Sequence, residues 1–231
     1  MRIVLLSFTV IFFSCVDCSQ KKNDLSIQSI SKIDTYIEDK ILNNQIPGTV
    51  ILVKKNDKIV HFKSYGYSNF NKKIKFKNND IFRIASMTKI MTSIAVLQLV
   101  ENNKISLTDP VENFIPEFKN LTVIESFDTK DGSYTVRPAK NKITLKHLLT
   151  HTSGLTYGSY DDILSHSEIY SKAGIIELFT TDNILQSENV KKLASLPLLF
   201  EPGESFKYGL NIDVVGHLIE IISGKSLSDY F

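Results

Sequence analysis

The chain has 231 residues, of which 42% are hydrophobic and 23% are charged, a composition typical of a globular protein with a sizeable core. Its 27 basic and 25 acidic side chains leave a net charge of +2 and form no long run of one sign, which argues against a nucleic-acid partner or a basic membrane-binding surface. The two cysteines, Cys15 and Cys18, lie close together near the N-terminus, so no disulfide can cross-link the body of the fold.

The N-terminal segment MRIVLLSFTVIFFS combines Arg2 with an apolar run too short to span a bilayer, which is typical of an export signal. Ser14 precedes Cys15 as a small residue precedes the lipidated cysteine of bacterial lipoprotein signals. We therefore expect residues 1–14 to be a signal peptide and Cys15 to be diacylated. Residues 15–26 would then be a polar linker, which tethers an exported protein to a membrane. A simple secretory peptide cleaved nearby is the alternative.

The next elements in chain order are a helix and a hairpin. Apolar residues at three- and four-residue spacing predict an amphipathic helix from Ile27 to Leu42. Two β-branched and aromatic runs follow, Thr49 to Lys55 and Lys58 to Ser68, and the short turn Asn56-Asp57 joins them. The pattern predicts a helix packed beside antiparallel strands.

The middle of the chain alternates between helix and strand signals. The segment from about Ser86 to Asn103 is apolar around most of its circumference, which predicts a helix buried in the core. A strand pair is expected around a turn at Lys130 to Ser133. The segment from Thr144 to Leu155 predicts a short helix that Thr144 caps and Gly154 ends.

The C-terminal third is mainly helical in pattern. Residues 156–195 predict a polar, weakly patterned helical region, and Pro202-Gly203 marks a turn. The segment NIDVVGHLIEIISG predicts an amphipathic helix with Gly224 in the capping position. Together these elements indicate an α+β protein, in which an antiparallel sheet with flanking helices is joined by a helical region.

Ser86 and Lys89 are the first candidates for chemistry. The pattern Ser-x-x-Lys occurs three times in the chain, so it is weak evidence alone. At this position, however, residues i and i+3 share a helix face, so the hydroxyl and the amine can meet. A lysine on a buried helix is desolvated, which lowers its pKa and lets it accept the serine proton near neutral pH. The alternative is that Ser86 caps the helix and Lys89 is a surface lysine.

Four segments in order, FRIASMTK, LTDPVENFIPEF, ITLKHLLTHTSGL and FEPGESFKYGLNIDVVGHLIEIISGKSLSDY, resemble successive motifs of the serine β-lactamase-related family. This family includes class C β-lactamases, D-alanyl-D-alanine carboxypeptidases and esterases that share their fold. The resemblance extends from about residue 30 to the end of the chain. It implies a β-lactamase/transpeptidase-like α+β fold, with an antiparallel sheet, flanking helices and a helical subdomain, and it implies no metal or organic cofactor.

The resemblance also implies roles for three residues. By position, Ser86 matches the acylated nucleophile, Lys89 its base partner, and Tyr208 the tyrosine that relays the proton to the leaving group. A tyrosine with an unperturbed pKa of about 10 needs a cationic neighbour such as Lys89 to act as a base. Without the resemblance, Tyr208 would be interpreted as a packing aromatic residue before a helix.

The sequence departs from the family at its second motif, which commonly reads Tyr-x-Asn. Leu210 occupies the third position here, and Asn211 follows one residue late. This difference favours the esterase-like and peptidase-like branches over an efficient β-lactamase.

The family's third motif, Lys/His-x-Gly on a strand beyond the tyrosine, is the second departure. The letters KDG at Lys130 to Gly132 precede Tyr208 and are interpreted as a turn, and no other match follows before Phe231. We therefore expect residues 27–231 to form an incomplete domain that lacks its C-terminal strands. One oxyanion-hole donor would be lost with them, and such a loss typically costs about 100- to 1000-fold in rate.

The expected function is hydrolysis of a small-molecule ester, amide or β-lactam through an acyl-enzyme on Ser86, with a lipid anchor as the only membrane contact. The alternative is a catalytically impaired remnant, or a penicillin-binding-type module that is acylated without turnover.

His147 and His151 have the spacing of zinc ligands, but Leu148 stands where a metalloprotease motif has glutamate. Ser153 lacks the first glycine of a nucleophile elbow.

Overall fold

The computed structural model describes residues 27–69, 71, 73–159 and 163–231. The predicted signal peptide, the lipidation site Cys15 and the polar linker lie outside these described residues. The described residues fall into two compact units, the first ending at Arg83 and the second running from Ile84 to Phe231. Among the helices of the described part, none has both the length and the hydropathy needed to cross a membrane.

The first unit is a helix beside a small antiparallel sheet, as predicted. Its elements are α1 (Ile27–Leu42), β1 (Gly48–Lys55), β2 (Lys58–Asn69) and β3 (Ile74–Lys75), with the strand order β1-β2-β3. The turn residues Asn56 and Asp57 both have positive φ, 48° and 61°, which matches the twist of a two-residue hairpin. The Tyr65 hydroxyl on β2 donates a hydrogen bond to Asp34 on α1 and so ties the helix to the sheet.

The second unit is mainly helical. Its elements are α2 (Thr88–Glu101), β4 (Thr122–Phe127), β5 (Tyr134–Pro138), α3 (Leu145–Leu149), α4 (Leu164–Ala173), α5 (Gln186–Ala194), α6 (Asn211–Ser223) and α7 (Leu227–Tyr230). Strands β4 and β5 form the predicted antiparallel pair. The α+β class with small antiparallel sheets and flanking helices is therefore confirmed.

Helix α6 forms the centre of the core of this unit. Val214, Val215, Leu218 and Ile219 on this helix are each 0% exposed, and α2, α3 and α5 pack against it. Burial of a side chain of this size stabilises a fold by about 1.5–3 kcal/mol relative to its exposed state. The helix ends at Gly224, whose φ of 71° is the left-handed conformation that the sequence predicts for a glycine cap.

The prediction that the helix following Ser86 is buried around most of its circumference is wrong. Only one face of α2 is buried, through Thr92, Ala95, Val96 and Leu99, because this face alone packs on α6. On the opposite side, five large apolar side chains are between 45% and 65% exposed, namely Met87, Ile90, Met91, Ile94 and Leu97. The apolar composition of this helix therefore reflects a single buried face and an exposed apolar one.

Two other predicted boundaries change. Thr144 caps α3 as predicted, and its hydroxyl accepts a hydrogen bond from the His147 N–H while the His147 ring accepts one from the Thr144 N–H. The helix ends at Leu149, however, well before Gly154, because His151 adopts a left-handed φ of 54° that stops it. The region 156–195 contains two short helices, α4 and α5, separated by irregular chain.

The loop before α6 is anchored by a buried carboxylate. Glu201 is 2% exposed, accepts a 2.6 Å hydrogen bond from Arg137 at the end of β5, and accepts others from the backbone N–H groups of Lys140 and Asn141. Further along the loop, a Cβ atom on Gly209 would lie 2.5 Å from the Thr156 backbone, so only glycine fits there. These contacts fix the course of the loop that carries Tyr208.

Candidate active site

Ser86 lies at the point where the chain enters α2. A single helical turn, Ala85–Met87, directly precedes the helix, and Ala85 has a φ of 46°. A positive φ is unfavourable for alanine, and such strain is common at functional sites. The Ser86 side chain is exposed, so a ligand can reach its hydroxyl. The N-terminal end of α2 also stabilises negative charge that develops beside it.

Tyr208 meets Ser86 directly. The Tyr208 hydroxyl donates a 2.9 Å hydrogen bond to Ser86 Oγ, although 122 positions separate the two residues in the chain. The Tyr208 residue is 38% exposed. Once the phenol has lost its proton, the same contact places a base on the serine hydroxyl, within the distance that proton transfer requires.

Lys89 lies on the first turn of α2 and contacts two tyrosines. Its Nζ donates a 3.3 Å hydrogen bond to the Tyr157 hydroxyl and lies 4.9 Å from the centre of the Tyr208 ring. The ammonium therefore stands beside the phenol that contacts Ser86. The structure thus brings together Ser86, Lys89 and Tyr208, the three candidates for catalysis proposed from the sequence.

The prediction that burial lowers the pKa of Lys89 is wrong in its outcome. Burial does act in that direction, but hydrogen bonds and charge interactions with Tyr208 and Tyr157 outweigh it and raise the pKa of the amine above its ordinary value. Lys89 is therefore an ammonium at neutral pH.

The pKa values of the two tyrosines move in opposite directions. Burial raises the pKa of Tyr208. Hydrogen bonds with Ser86 and Lys89 and the charge of the lysine lower it by a larger amount, so the pKa of Tyr208 lies below its ordinary value. For Tyr157, burial and the negative charge of Asp213 raise the pKa and outweigh the effect of Lys89. Titratable neighbours with diverging pKa values commonly divide acid and base roles between them. Of the two phenols, Tyr208 therefore loses its proton more readily than Tyr157.

Sequence reasoning missed Tyr157. It is 6% exposed and follows the segment THTSGL, but 68 positions separate it from Lys89. No local spacing marks it among the nine tyrosines of the chain. Only the fold brings its hydroxyl to the lysine.

The residues around the altered second motif have structural contacts. Leu210 is 1% exposed and belongs to the core. The Asn211 side chain accepts a 2.5 Å hydrogen bond from Ser153 Oγ and donates to the backbone oxygen of Leu155 at 3.3 Å. Asn211 and Ser153 are both 0% exposed, so their side chains support the loop and are not open to a substrate.

His147 and His151 do not face one another as metal ligands. The His147 ring accepts a hydrogen bond at the N-terminus of α3, whereas the His151 ring packs against Tyr208 with ring centres 4.8 Å apart. Within the described ranges, no group of three or more His, Cys, Asp or Glu side chains is placed to hold a metal ion.

Comparison with known proteins identifies the relatives of this chain. The family model described as Beta-lactamase matches residues 32–231. Esterase EstB from Burkholderia gladioli is 30% identical over 198 residues, which cover 86% of this chain and 46% of the esterase. Acyltransferase mokF from Monascus pilosus is 30% identical over 213 residues, which cover 90% of this chain and 49% of the relative. The chain thus spans about half the length of these relatives.

A solved structure has the same architecture. EstCE1, described as a hydrolase with promiscuous acyltransferase activity, superimposes with a TM-score of 0.70 at 27% identity, covering 88% of this chain and 49% of that one. The expected β-lactamase-related fold is therefore confirmed, over a region that corresponds to about half of the related structure.

Proposed function

Because the chain belongs to the Beta-lactamase family, we propose that it catalyses acyl transfer from a small-molecule ester or amide to Ser86 and then to water. The observation that carries the proposal is the 2.9 Å hydrogen bond between Tyr208 and Ser86, with the Lys89 ammonium beside the phenol. A serine hydroxyl is a weak nucleophile until an adjacent base takes its proton. Tyr208 is the group in position to do so.

Acylation begins from the phenolate form of Tyr208, which the positive charge of Lys89 stabilises. The phenolate takes the Ser86 Oγ proton as the oxygen forms a bond to the substrate carbonyl carbon. Negative charge then develops on the carbonyl oxygen beside the N-terminal end of α2. When the intermediate collapses, Tyr208 returns its proton to the leaving alcohol or amine, and the acyl group remains on Ser86.

Deacylation follows the same route with water as the nucleophile. Tyr208, again a phenolate, takes a proton from the water as its oxygen attacks the acyl carbon. Collapse of this second intermediate releases the carboxylic acid and returns the proton to Ser86. An alcohol in place of water would accept the acyl group instead, and the overall reaction would be transesterification.

The substrate class we propose is an ester. The esterase and the acyltransferase described above are 30% identical to this chain, which supports this choice over a β-lactam. The leucine at position 210, where β-lactamase-like motifs have asparagine, supports the same choice. We retain amides, including β-lactams, as a second substrate class because they acylate Ser86 by the same steps.

Covalent labelling tests the proposal. A fluorescent fluorophosphonate should label the wild-type chain, and Ser86→Ala should abolish labelling, whereas Ser93→Ala, the same change at a serine of α2, should leave it intact. Tyr208→Phe should slow labelling by about 100- to 10,000-fold, the usual contribution of a general base. Tyr157→Phe keeps a neutral ring and should have a much smaller effect. Equal labelling of the wild type and Ser86→Ala would refute the assignment.

Turnover distinguishes the two functions that the sequence leaves open. With p-nitrophenyl acetate, a hydrolase should release nitrophenol continuously beyond one equivalent per chain. A module that is acylated without turnover should release a single equivalent and stop. Continuous release that persists in Ser86→Ala would show that the activity does not come from this site.

A further inference from the structure

His151 contacts both neighbours of Tyr208. The backbone N–H of Lys207 donates a 2.9 Å hydrogen bond to the His151 carbonyl, and the N–H of Gly209 donates to the His151 ring at Nδ1, at 3.4 Å. The ring itself packs against the Tyr208 ring at 4.8 Å between centres, and Phe206 packs edge-on at 6.1 Å. A single residue thus fixes the chain on either side of the tyrosine and supports its ring.

The hydrogen-bond partners determine where the His151 proton lies. Leu155 O can only accept, so the amide nitrogen of Asn211 must be the atom directed at it, at 3.3 Å. The same Nδ2 lies 3.1 Å from His151 Nδ1. Its orientation is further fixed because Leu155 N–H donates to Ser153 Oγ, which in turn donates to Asn211 Oδ1.

Two N–H donors, from Asn211 and Gly209, therefore face His151 Nδ1. An Nδ1–H would meet these donors head-on, so Nδ1 carries the lone pair and the neutral ring carries its proton on Nε2. The residue also holds a φ of 54°, which is uncommon for a residue other than glycine, and these contacts help to stabilise it.

We propose that His151, as a neutral imidazole protonated on Nε2, is a positioning residue that holds Tyr208 in reach of Ser86. The proposal rests on the proposed function for its catalytic consequence and on the hydrogen-bond geometry for its structural part. His151 does not touch the serine. It acts through the loop, by fixing the backbone at positions 207 and 209.

The surroundings of His151 oppose its protonation. Among the described residues, the Lys89 ammonium from α2 acts on it, the Tyr208 ring from the loop packs against it, and α6 contributes the amide of Asn211. Burial and then the positive charge of Lys89 lower the pKa of His151. The hydrogen bonds from Gly209 and Asn211 to His151 Nδ1 are therefore intact at neutral pH. Acidification below this lowered pKa should break them.

The test compares two substitutions by the rate of fluorophosphonate labelling at Ser86. Asparagine offers an acceptor oxygen close to the place of Nδ1 and tolerates a positive φ, so His151→Asn should label within a few-fold of the wild-type rate. His151→Phe keeps a ring but has no acceptor, so its labelling should be slower by roughly 10- to 100-fold, as expected for a misplaced catalytic group. Circular dichroism of both variants checks that they fold.

The pH dependence separates this role from simple packing. In the wild type, protonation of Tyr208 removes the base and protonation of His151 slows labelling further, so the logarithm of the rate should fall with a slope above one where both groups titrate. His151→Asn should give a slope of one. Identical slopes in the two proteins, or equal losses in His151→Asn and His151→Phe, would overturn the proposal.

A measurement independent of activity distinguishes this proposal from the proposed function. In two-bond ¹H–¹⁵N spectra of protein labelled in its five histidines, the signal lost in His151→Asn identifies His151. The expected result at neutral pH is the neutral form with its proton on Nε2, even if the wild type is not labelled at Ser86. An Nδ1–H form or an imidazolium would overturn the proposal, whereas a failure to label would overturn only the catalytic function.

Discussion

At the scale of single residues, the reactivity proposed for Ser86 depends on the protonation states of Lys89 and two tyrosines. Lys89 donates to Tyr157 and lies beside Tyr208, and the pKa of this lysine is raised, so it supplies a fixed positive charge. The phenol in contact with Ser86 is the one whose pKa is lowered. In His151→Asn, where the histidine no longer titrates, the acidic limb of the rate profile should therefore report chiefly on Tyr208.

Removal of the lysine charge should move that limb. Lys89→Met keeps the length of the side chain but removes the cation and the hydrogen bonds, so the pKa of Tyr208 should rise. Because the phenolate is the active form, the acidic limb of the labelling rate should shift to higher pH. Lys89→Arg retains the positive charge and should leave the limb closer to its wild-type position.

This pair of variants also tests whether Lys89 is the base. Arginine cannot be deprotonated in proteins, so a site that needs a neutral amine would lose its activity in Lys89→Arg. A limb that stays in place in Lys89→Met would contradict the assignment of Tyr208 as the group that titrates.

The sequence identified three of the residues that meet at the site but misjudged how they interact. Ser86, Lys89 and Tyr208 were identified from motif order, which needs no knowledge of the fold. Tyr208 and then Tyr157 raise the pKa of Lys89, and only the tertiary structure brings their hydroxyl groups to the amine. His151 was considered as a metal ligand because spacing on a helix is visible in sequence, whereas a hydrogen bond to a distant loop is not.

At the scale of elements, α3 positions the site because its C-terminal end leads directly to His151. Its five residues are too few to form a stable helix alone, so its caps matter more than its propensity. Thr144 satisfies the His147 N–H at the N-terminus, and the ring of His147 satisfies the Thr144 N–H in return. This reciprocal pair is a capping box, a motif that also begins much longer helices.

Loss of the cap should be measurable. Thr144→Ala should lower the free energy of unfolding by about 0.5–2 kcal/mol, as determined by urea denaturation. The control is Thr150→Ala at the other end of the helix, where the hydroxyl is exposed and bonds back to Lys146 O, so a smaller effect is expected. Equal effects of the two substitutions would argue against the capping role.

Local sequence patterns predicted the bounds of the helices and strands better than they predicted the tertiary contacts of these elements. The bounds of α1, the Asn56-Asp57 hairpin and the Gly224 cap could be predicted because each depends on neighbours in sequence. The end of α3 could not, because the left-handed conformation of His151 is stabilised by Asn211 and Gly209 in another part of the chain. Composition also could not show which side of α2 is packed.

At the scale of the whole molecule, the exposed apolar side of α2 is the feature with the largest physical consequence. Its members recur at three- and four-residue spacing, so they form one continuous surface rather than scattered side chains. Continuous apolar surfaces of this kind promote association or bind apolar dyes. We expect the isolated chain to bind anilinonaphthalene sulfonate and to self-associate as its concentration rises.

Paired substitutions can locate this behaviour. Ile90→Ser with Ile94→Ser should reduce dye fluorescence and shift sedimentation toward the monomer. Leu164→Ser with Leu178→Ser replaces two side chains of similar exposure, 62% and 53%, outside this helix and should change little. Dye binding that responds equally to both pairs would show that the α2 surface is not responsible.

The central claim is that Ser86 becomes covalently acylated with Tyr208 as its base. The most direct measurement is mass spectrometry of the intact chain after incubation with a fluorophosphonate, followed by peptide mapping of the modified residue. The expected result is one adduct per chain on the peptide containing Ser86, formed far more slowly in Tyr208→Phe than in Tyr157→Phe. An adduct on another residue, or equal rates in the two tyrosine variants, would contradict the account.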